Sequence, residues 1–341
     1  MKKNINTSES PKMLLIAPLF FGYYQEITKE AQLMGYDVDY ICDAPSNSNL
    51  SKAIGRVNKN FIKSATKSYF KRKVLPTVEN KSYDVVLLVA GMTCALLPDM
   101  FAKIKQMNPS AKFVMYQWDS EKNLPYSTSI HPYFNSIYSF DRYDCKRDAK
   151  YKFLPLFYIR MYENIGNKAA CENFEYDCSY VGTAHPLKYK NINDIADALK
   201  LVWPKQFIYH YMPSKLKYIY HKLAAPEYKK AKLNEFKLDK IAPQQMMEVF
   251  EKSKCVLDSP QGGQIGLTIR TLECLGAKKK MITSNTDVKY YDFYDETNIL
   301  IIESDKPIDF ESSFFSSPYK NVPVELYQKY SLRCWLTTIL V

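Results

Sequence analysis

The 341-residue chain lacks most of the residues and patterns that announce a function at a glance. Histidine is scarce, with four residues, and the eight cysteines are scattered without a Cys-x-x-Cys pair or a nearby histidine set, so no metal site is expected. No apolar run approaches the roughly 18 to 20 residues that a membrane-spanning helix needs. Residues Met1 to Lys12 are polar and lack the apolar core of a secretory signal. Together with the dispersed thiols, this leads us to expect a reducing, cytoplasmic setting. No P-loop pattern is present. Where the fingerprint G-x-G-x-x-G would follow the first strand, the chain reads Pro18-Leu-Phe-Phe-Gly22, bulky and aromatic, which argues against a dehydrogenase-type nucleotide binder.

Acidic residues are missing altogether from Ala44 to Val78, while Lys52, Arg56, Lys59, Lys63, Lys67, Lys71, Arg72 and Lys73 are all basic. These carry much of the net charge of +11. A spacing of three to four puts most of them on one helical face, flanked by Ile54, Val57, Phe61, Ile62, Ala65 and Tyr69. A basic amphipathic helix over 52–73 fits peripheral contact with an anionic inner membrane surface or with a pyrophosphate-linked acceptor; it fits a merely solvated face equally well. Nothing resembling an RNA- or DNA-binding module accompanies the patch, so nucleic acid is not expected as a partner.

What the chain does contain is a folded α/β pattern. Its 46% hydrophobic and 14% aromatic content belong to a globular protein, and its length suits two domains. Strand-like runs at Met13-Leu-Leu-Ile-Ala-Pro18, Val38-Asp-Tyr-Ile41, Tyr83–Val89 and Lys112–Gln117 alternate with helical segments near 23–35 and 98–107. Shorter strands follow at Ser136–Phe140 and Tyr151–Leu154. A second series starts at Cys178-Ser-Tyr-Val-Gly182, with helices over 191–201 and 244–252 and a strand at Gln206–Tyr209. The interval 155–177 reads as a connection, and 325–340 as one final helix. The expected organisation is an α/β chain of two Rossmann-like domains, 1–165 and 166–324, followed by the C-terminal segment 325–341.

The segment with the most chemistry runs from Cys255 to Thr283. It reads as a buried strand, a loop with glycines at 262, 263 and 266, a helix opening near Thr268, and another strand after Gly276. A loop that feeds a helix N-terminus offers free backbone N–H groups and a positive dipole end to a phosphate. Arg270 and Glu273, three apart, share a helix face: an arginine neutralises a pyrophosphate, and a carboxylate accepts hydrogen bonds from a ribose diol. The same pair is also satisfied as a simple exposed ion pair. Thr268 is the expected N-cap, and Gln264 lies within reach of the same ligand. Gly182, Thr183 and His185 follow the first strand of the second domain, where ligands approach a parallel sheet. Asp37-Val-Asp39 has the D-x-D spacing of a metal site, but it falls inside a strand and reads as structural.

Four stretches resemble GT-B glycosyltransferases, and bacterial enzymes of capsule and lipopolysaccharide biosynthesis in particular, including the CgeB-like and glycosyltransferase family 1-like groups. They are Phe20-Phe-Gly-Tyr-Tyr-Gln-Glu26; Ser139-Phe-Asp-Arg-Tyr-Asp-Cys145 with Phe153-Leu-Pro-Leu-Phe157; Tyr180-Val-Gly-Thr-Ala-His185; and Gly266-Leu-Thr-Ile-Arg-Thr-Leu-Glu-Cys-Leu-Gly276 with Lys280-Met-Ile-Thr283. The resemblance spans both halves of the chain. It implies an interdomain cleft and a C-terminal helix that crosses back to the N-terminal domain, anchored by Trp335. It also implies metal-independent transfer from a nucleotide-sugar donor, used as substrate and not as cofactor, to an oligosaccharide or lipid-linked acceptor. Glu273 then binds the donor ribose and Arg270 the diphosphate, with Gly182, Thr183, His185, Gln264, Gly266 and Thr268 around them. An inverting transferase needs a base for the acceptor hydroxyl. Asp119, directly after a buried strand and beside Trp118, has that position; Asp141, Asp144 and Glu26 are alternatives. The chain departs from retaining members in one respect: the position eight before Glu273 is Ile265, not a second glutamate, which leaves the stereochemistry open. A nucleotide-sugar epimerase and a non-catalytic scaffold of a polysaccharide assembly complex are the competing readings.

Overall fold

The computed structural model describes residues 10–20, 22–45, 63–91, 94–168, 173–260, 266–303 and 306–341. The chain forms two compact units, one of residues 1–155 with Leu332–Val341, the other Leu156–Ser331.

The first unit is a six-stranded parallel sheet in the order β2-β1-β3-β4-β5-β6. Its elements are β1 (Lys12–Ala17), α1 (Tyr23–Leu33), β2 (Asp37–Cys42), a helical stretch α2 over 63–78, β3 (Val85–Ala90), α3 (Pro98–Met107), β4 (Lys112–Gln117), β5 (Ser136–Ser139), α4 (Arg142–Arg147) and β6 (Tyr151–Phe153). Every residue of β3 is buried, as its unbroken Val-Val-Leu-Leu-Val-Ala run requires of a strand covered on both faces. Gly35 ends α1 at φ 93°, with its own N–H bonded to Gln32 and that of Tyr36 to Ala31; the left-handed glycine closes the helix as expected. In β2, Asp39 accepts from Lys81 Nζ at 2.7 Å and from the Tyr83 hydroxyl at 2.7 Å, so the D-x-D carboxylate is taken up by the fold.

In α2 the side chains of Phe70, Val74 and Val78, four apart, are buried, while Lys63, Lys67, Lys71, Arg72 and Lys73 are exposed. The rest of the expected basic helix, 52–62, lies outside the described residues. The C-terminal helix Leu332–Leu340 belongs to this unit: Trp335 packs edge-on against Tyr116 at 4.8 Å, and Arg333 pairs with the buried Glu30 at 3.1 Å.

The second unit begins earlier than the sequence suggests, at Leu156 instead of 166. The interval expected to be a connection contains α5 (Arg160–Gly166), whose Tyr162 ring lies 5.1 Å from Phe250. A seven-residue helix with two buried apolar positions is too short to show periodicity. The sheet follows through β7 (Tyr176–Thr183), α6 (Pro186–Leu199), β8 (Gln206–Tyr211), α7 (Lys215–Ala224), β9 (Phe236–Lys237), α8 (Pro243–Lys252), β10 (Ser253–Asp258), α9 (Ile269–Gly276), β11 (Lys280–Thr283) and β12 (Ile299–Ile301). Its order is β12-β11-β10-β7-β8-β9. Counted from the first strand of this unit, that is the Rossmann arrangement 3-2-1-4-5-6 read from the other edge, with its switch point between β7 and β10. The single final helix expected over 325–340 is two, Val324–Lys329 and Leu332–Leu340. The break falls where the Tyr330 carbonyl accepts from the Tyr158 N–H at 2.9 Å and Ser331 bridges to Tyr158.

Candidate functional site

In a doubly wound sheet the strands on either side of the switch point send their connections to opposite faces, which opens a crevice at their carboxyl ends. Here those ends are Gly182-Thr183 of β7 and Asp258 of β10. Asp258 is buried; its Oδ2 accepts from Thr268 Oγ1 at 2.7 Å, and its Oδ1 stands 3.6 Å from Lys188 Nζ. Lys188 lies in the first turn of α6, its ammonium 5.9 Å from the centre of the Tyr180 ring. Burial holds its pKa below the usual lysine value, Asp258 pulls it back up, and Arg270 adds to the depression. A contact of 3.6 Å is longer than a hydrogen bond. The Lys188–Asp258 contact is thus an ion pair and not a tight hydrogen bond.

Arg270 and Glu273 form an ion pair at 2.7 Å, but not the surface pair the sequence suggests: both side chains are largely buried, at 16% and 4% exposure. The guanidinium stacks over Phe250 at 5.4 Å and reaches the Val181 carbonyl at 3.4 Å, which ties α9 to β7 and α8. Burial and the Glu273 carboxylate together raise the Tyr162 phenol well above its ordinary pKa. Lys188, Arg270, Asp258 and Glu273 are thus a mutually interacting set of two cations and two anions, beside the N-termini of α6 and α9.

Thr268 is the N-cap residue of α9, as expected, yet its hydroxyl is spent on Asp258 and does not cap the helix. His185 holds the N-cap position of α6, without a side-chain cap bond, and Thr183 is paired with Tyr211 of β8. The Gly266 carbonyl accepts from Asn285 Nδ2 at 3.3 Å. Gln264, with glycines 262 and 263, lies outside the described residues. At Gly182 a Cβ would sit 2.4 Å from the Tyr180 hydroxyl, so the glycine makes room for that ring.

Lys188 and Asp258 carry the centre of this arrangement, and sequence reasoning assigned neither. The helix expected to start at 191 starts at Pro186, which puts Lys188 in its first turn; the Pro at N1 was the available signal. Asp258 is the last residue of a strand before the glycine loop, a position that the switch-point rule marks.

Beside the site, His210 of β8 is buried, with Nε2 3.0 Å from Asn193 Oδ1. Burial, helped by Lys188, lowers its pKa from 6.5 to about 4. The unfolded chain takes up this proton below pH 6.5 and the folded chain only near 4. Stability therefore falls as the pH drops through that window, by on the order of 3 kcal/mol from this residue. His210→Phe should flatten the corresponding slope of unfolding free energy measured in urea between pH 7 and 4.5; an unchanged slope would assign the acid lability elsewhere.

In the first unit, Asp119 follows β4 at its carboxyl end and is half-buried; its Oδ2 lies 3.8 Å from where a Cβ on Gly91 would be. Its neighbour Trp118 meets Tyr23 at 5.5 Å and Phe20 at 6.3 Å, an aromatic cluster at the ends of β1 and β4. The alternatives Asp141 and Asp144 are both buried and occupied: Asp141 caps α4 by accepting from the Tyr143 N–H at 2.8 Å, and Asp144 accepts from the Glu121 N–H at 2.7 Å. Glu26 lies in the first turn of α1.

No protein-family model matches the chain, and no curated protein matches it by sequence. Solved structures do match in fold. An α-glucosyltransferase in complex with UDP and a DNA 13-mer is 15% identical, with a TM-score of 0.57 over 97% of this chain and 96% of its own. Anabaena HepE in complex with UDP and glucose is 10% identical, with a TM-score of 0.61 over 96% and 98%. The catalytic domain of starch synthase IV from Arabidopsis thaliana, bound to ADP and acarbose, is 9% identical, with a TM-score of 0.57 over 97% and 96%. The fold class is GT-B, two Rossmann-like units in one chain.

Proposed function

We propose that this chain is a glycosyltransferase that binds a nucleotide-sugar donor at the β7–β10 switch point and transfers the sugar to a surface-polysaccharide or lipid-linked oligosaccharide acceptor, as in capsule or lipopolysaccharide synthesis. The observation that carries the reading is the Lys188 ammonium, largely buried, ion-paired with Asp258 at 3.6 Å and interacting with Arg270, the two cations lying in the first turns of α6 and α9. That is the electrostatic provision a diphosphate leaving group needs when the bond from its oxygen to the anomeric carbon breaks. Arg270 supplies the second cation, and Glu273 holds it in place while accepting from the ribose hydroxyls. Gly266, Thr268 and the backbone around Gly182, Thr183 and His185 line the donor, and Gln264 is a further donor residue. Asp119 takes the proton from the acceptor hydroxyl as the new glycosidic bond forms, with the Trp118 cluster offering an apolar face to a sugar ring. The nucleoside diphosphates bound in similar folds, UDP and ADP, support the substrate class.

Lys188→Met tests this reading. It removes the charge but keeps most of the volume, so affinity for a nucleoside diphosphate should fall by roughly ten- to a hundredfold, the worth of one charge-assisted hydrogen bond. Affinity for the bare nucleoside should hardly change. Equal losses for both, measured by calorimetry, would mean that Lys188 does not meet the diphosphate.

A further inference from the structure

Helix α7 in the second unit is docked by its polar side. Tyr218 donates to the Ala231 carbonyl at 3.0 Å, the His221 ring lies 5.3 Å from Tyr228, and Lys222 Nζ bonds the carbonyls of Lys229 and Ala231 at 2.6 and 2.7 Å. No residue of this helix is buried. Its outward face carries Leu216, Ile219, Tyr220 and Leu223, exposed by 79%, 50%, 65% and 84%. Their spacing of i, i+3, i+4 and i+7 makes them one continuous stripe. A contiguous apolar stripe on a charged protein is a contact surface, because water is a poor neighbour for it.

The charge around the stripe selects what covers it. Residues 213–240 contain eight lysines, at 215, 217, 222, 229, 230, 232, 237 and 240, against three acidic residues, Glu227, Glu235 and Asp239. Lys215, Lys229, Lys230 and Lys232 are exposed. A second copy of the chain, seated on the same patch by a twofold axis, would set these lysines against themselves. An anionic bilayer meets both features at once, with the leucines entering the acyl boundary and the lysines staying among the lipid headgroups. The helix over 63–78 has the basic charge but not the apolar face, since Phe70, Val74 and Val78 are buried in its own core.

We propose that α7 is a membrane-interface helix, which holds the protein on an anionic lipid surface through Leu216, Ile219, Tyr220 and Leu223. Vesicle flotation at low and high salt tests this. The intact protein should bind vesicles of phosphatidylcholine mixed with phosphatidylglycerol, bind pure phosphatidylcholine far less, and lose binding as salt rises. Leu216→Ser with Leu223→Ser, two exposed positions that should leave the melting temperature unchanged, should weaken partitioning by about tenfold for each side chain. In a separate variant, Leu223→Trp should show a blue-shifted emission on binding. No binding to anionic vesicles, equal binding by the double serine variant, or a dimer that the serine variant dissolves would each overturn the proposal.

Discussion

Glu273→Ala is expected to lower the unfolding free energy by about 3–5 kcal/mol, because it strands the Arg270 guanidinium in a largely buried position without its counter-charge. Read as an exposed pair at a helix surface, the sequence suggested a change that weakens nucleotide binding and leaves the fold intact; the burial of both partners reverses the second expectation. Glu273→Gln keeps an acceptor for Arg270 and should lose less. The combined Arg270→Met, Glu273→Leu variant removes both charges at similar volume and should regain most of the stability, since two apolar side chains cost no desolvation. Urea unfolding of the four proteins reads these differences directly. The combined variant also separates the two roles of the pair. If Arg270 and Glu273 serve the donor as well as the fold, that protein is stable yet binds nucleoside diphosphate poorly. A Glu273→Ala protein within half a kcal/mol of the parent would show that the pair does not lock α9 to β7 and α8.

Asp119→Asn should have the largest effect on turnover. Losing a positioned base typically slows a proton-coupled step by about 10²- to 10⁴-fold. The amide is isosteric and the site half-buried, so the melting temperature and the donor affinity should stay near those of the parent. The measurement is the rate at which nucleoside diphosphate is released from the sugar donor in the presence of acceptor. A variant with parental turnover would remove Asp119 from the chemistry. Asp141 and Asp144 are poor substitutes, since their carboxylates already accept backbone N–H groups inside the fold.

The sequence was readable where one local rule governs. Buried parallel strands such as β3 and β10 show as short apolar runs because both of their faces are covered. The end of the helical segment near 23–35 could be placed because a left-handed helix end favours glycine, here Gly35. Non-local contacts hid the rest. The split of the final helix at Tyr330 is made by a backbone bond to Tyr158, more than 150 residues away in the chain. Gly276 looks like a helix-ending glycine, yet a Cβ there would lie 2.6 Å from the Tyr158 ring, so the close approach of that ring is what excludes a side chain. In the candidate site, Arg270 and Glu273 were legible as a pair, but their burial was not, because it depends on Phe250, Val181 and Tyr162 arriving from other elements. Lys188 escaped notice for a related reason: the polar run Lys188-Tyr-Lys-Asn191 masks a helix whose inward positions are Tyr189 and Ile192.

The most direct test of the donor site is thermal unfolding in the presence of UDP, GDP, CMP, ADP, dTDP and their common sugar conjugates, run on the parent and on Lys188→Met. A ligand at a hundred times its dissociation constant adds about 2.7 kcal/mol to stability, a readily visible rise in melting temperature. The site described here predicts such a rise with at least one nucleotide or its sugar, and its loss or strong reduction in Lys188→Met. A folded parent protein that no nucleotide stabilises, or a rise of equal size in both proteins, would contradict it.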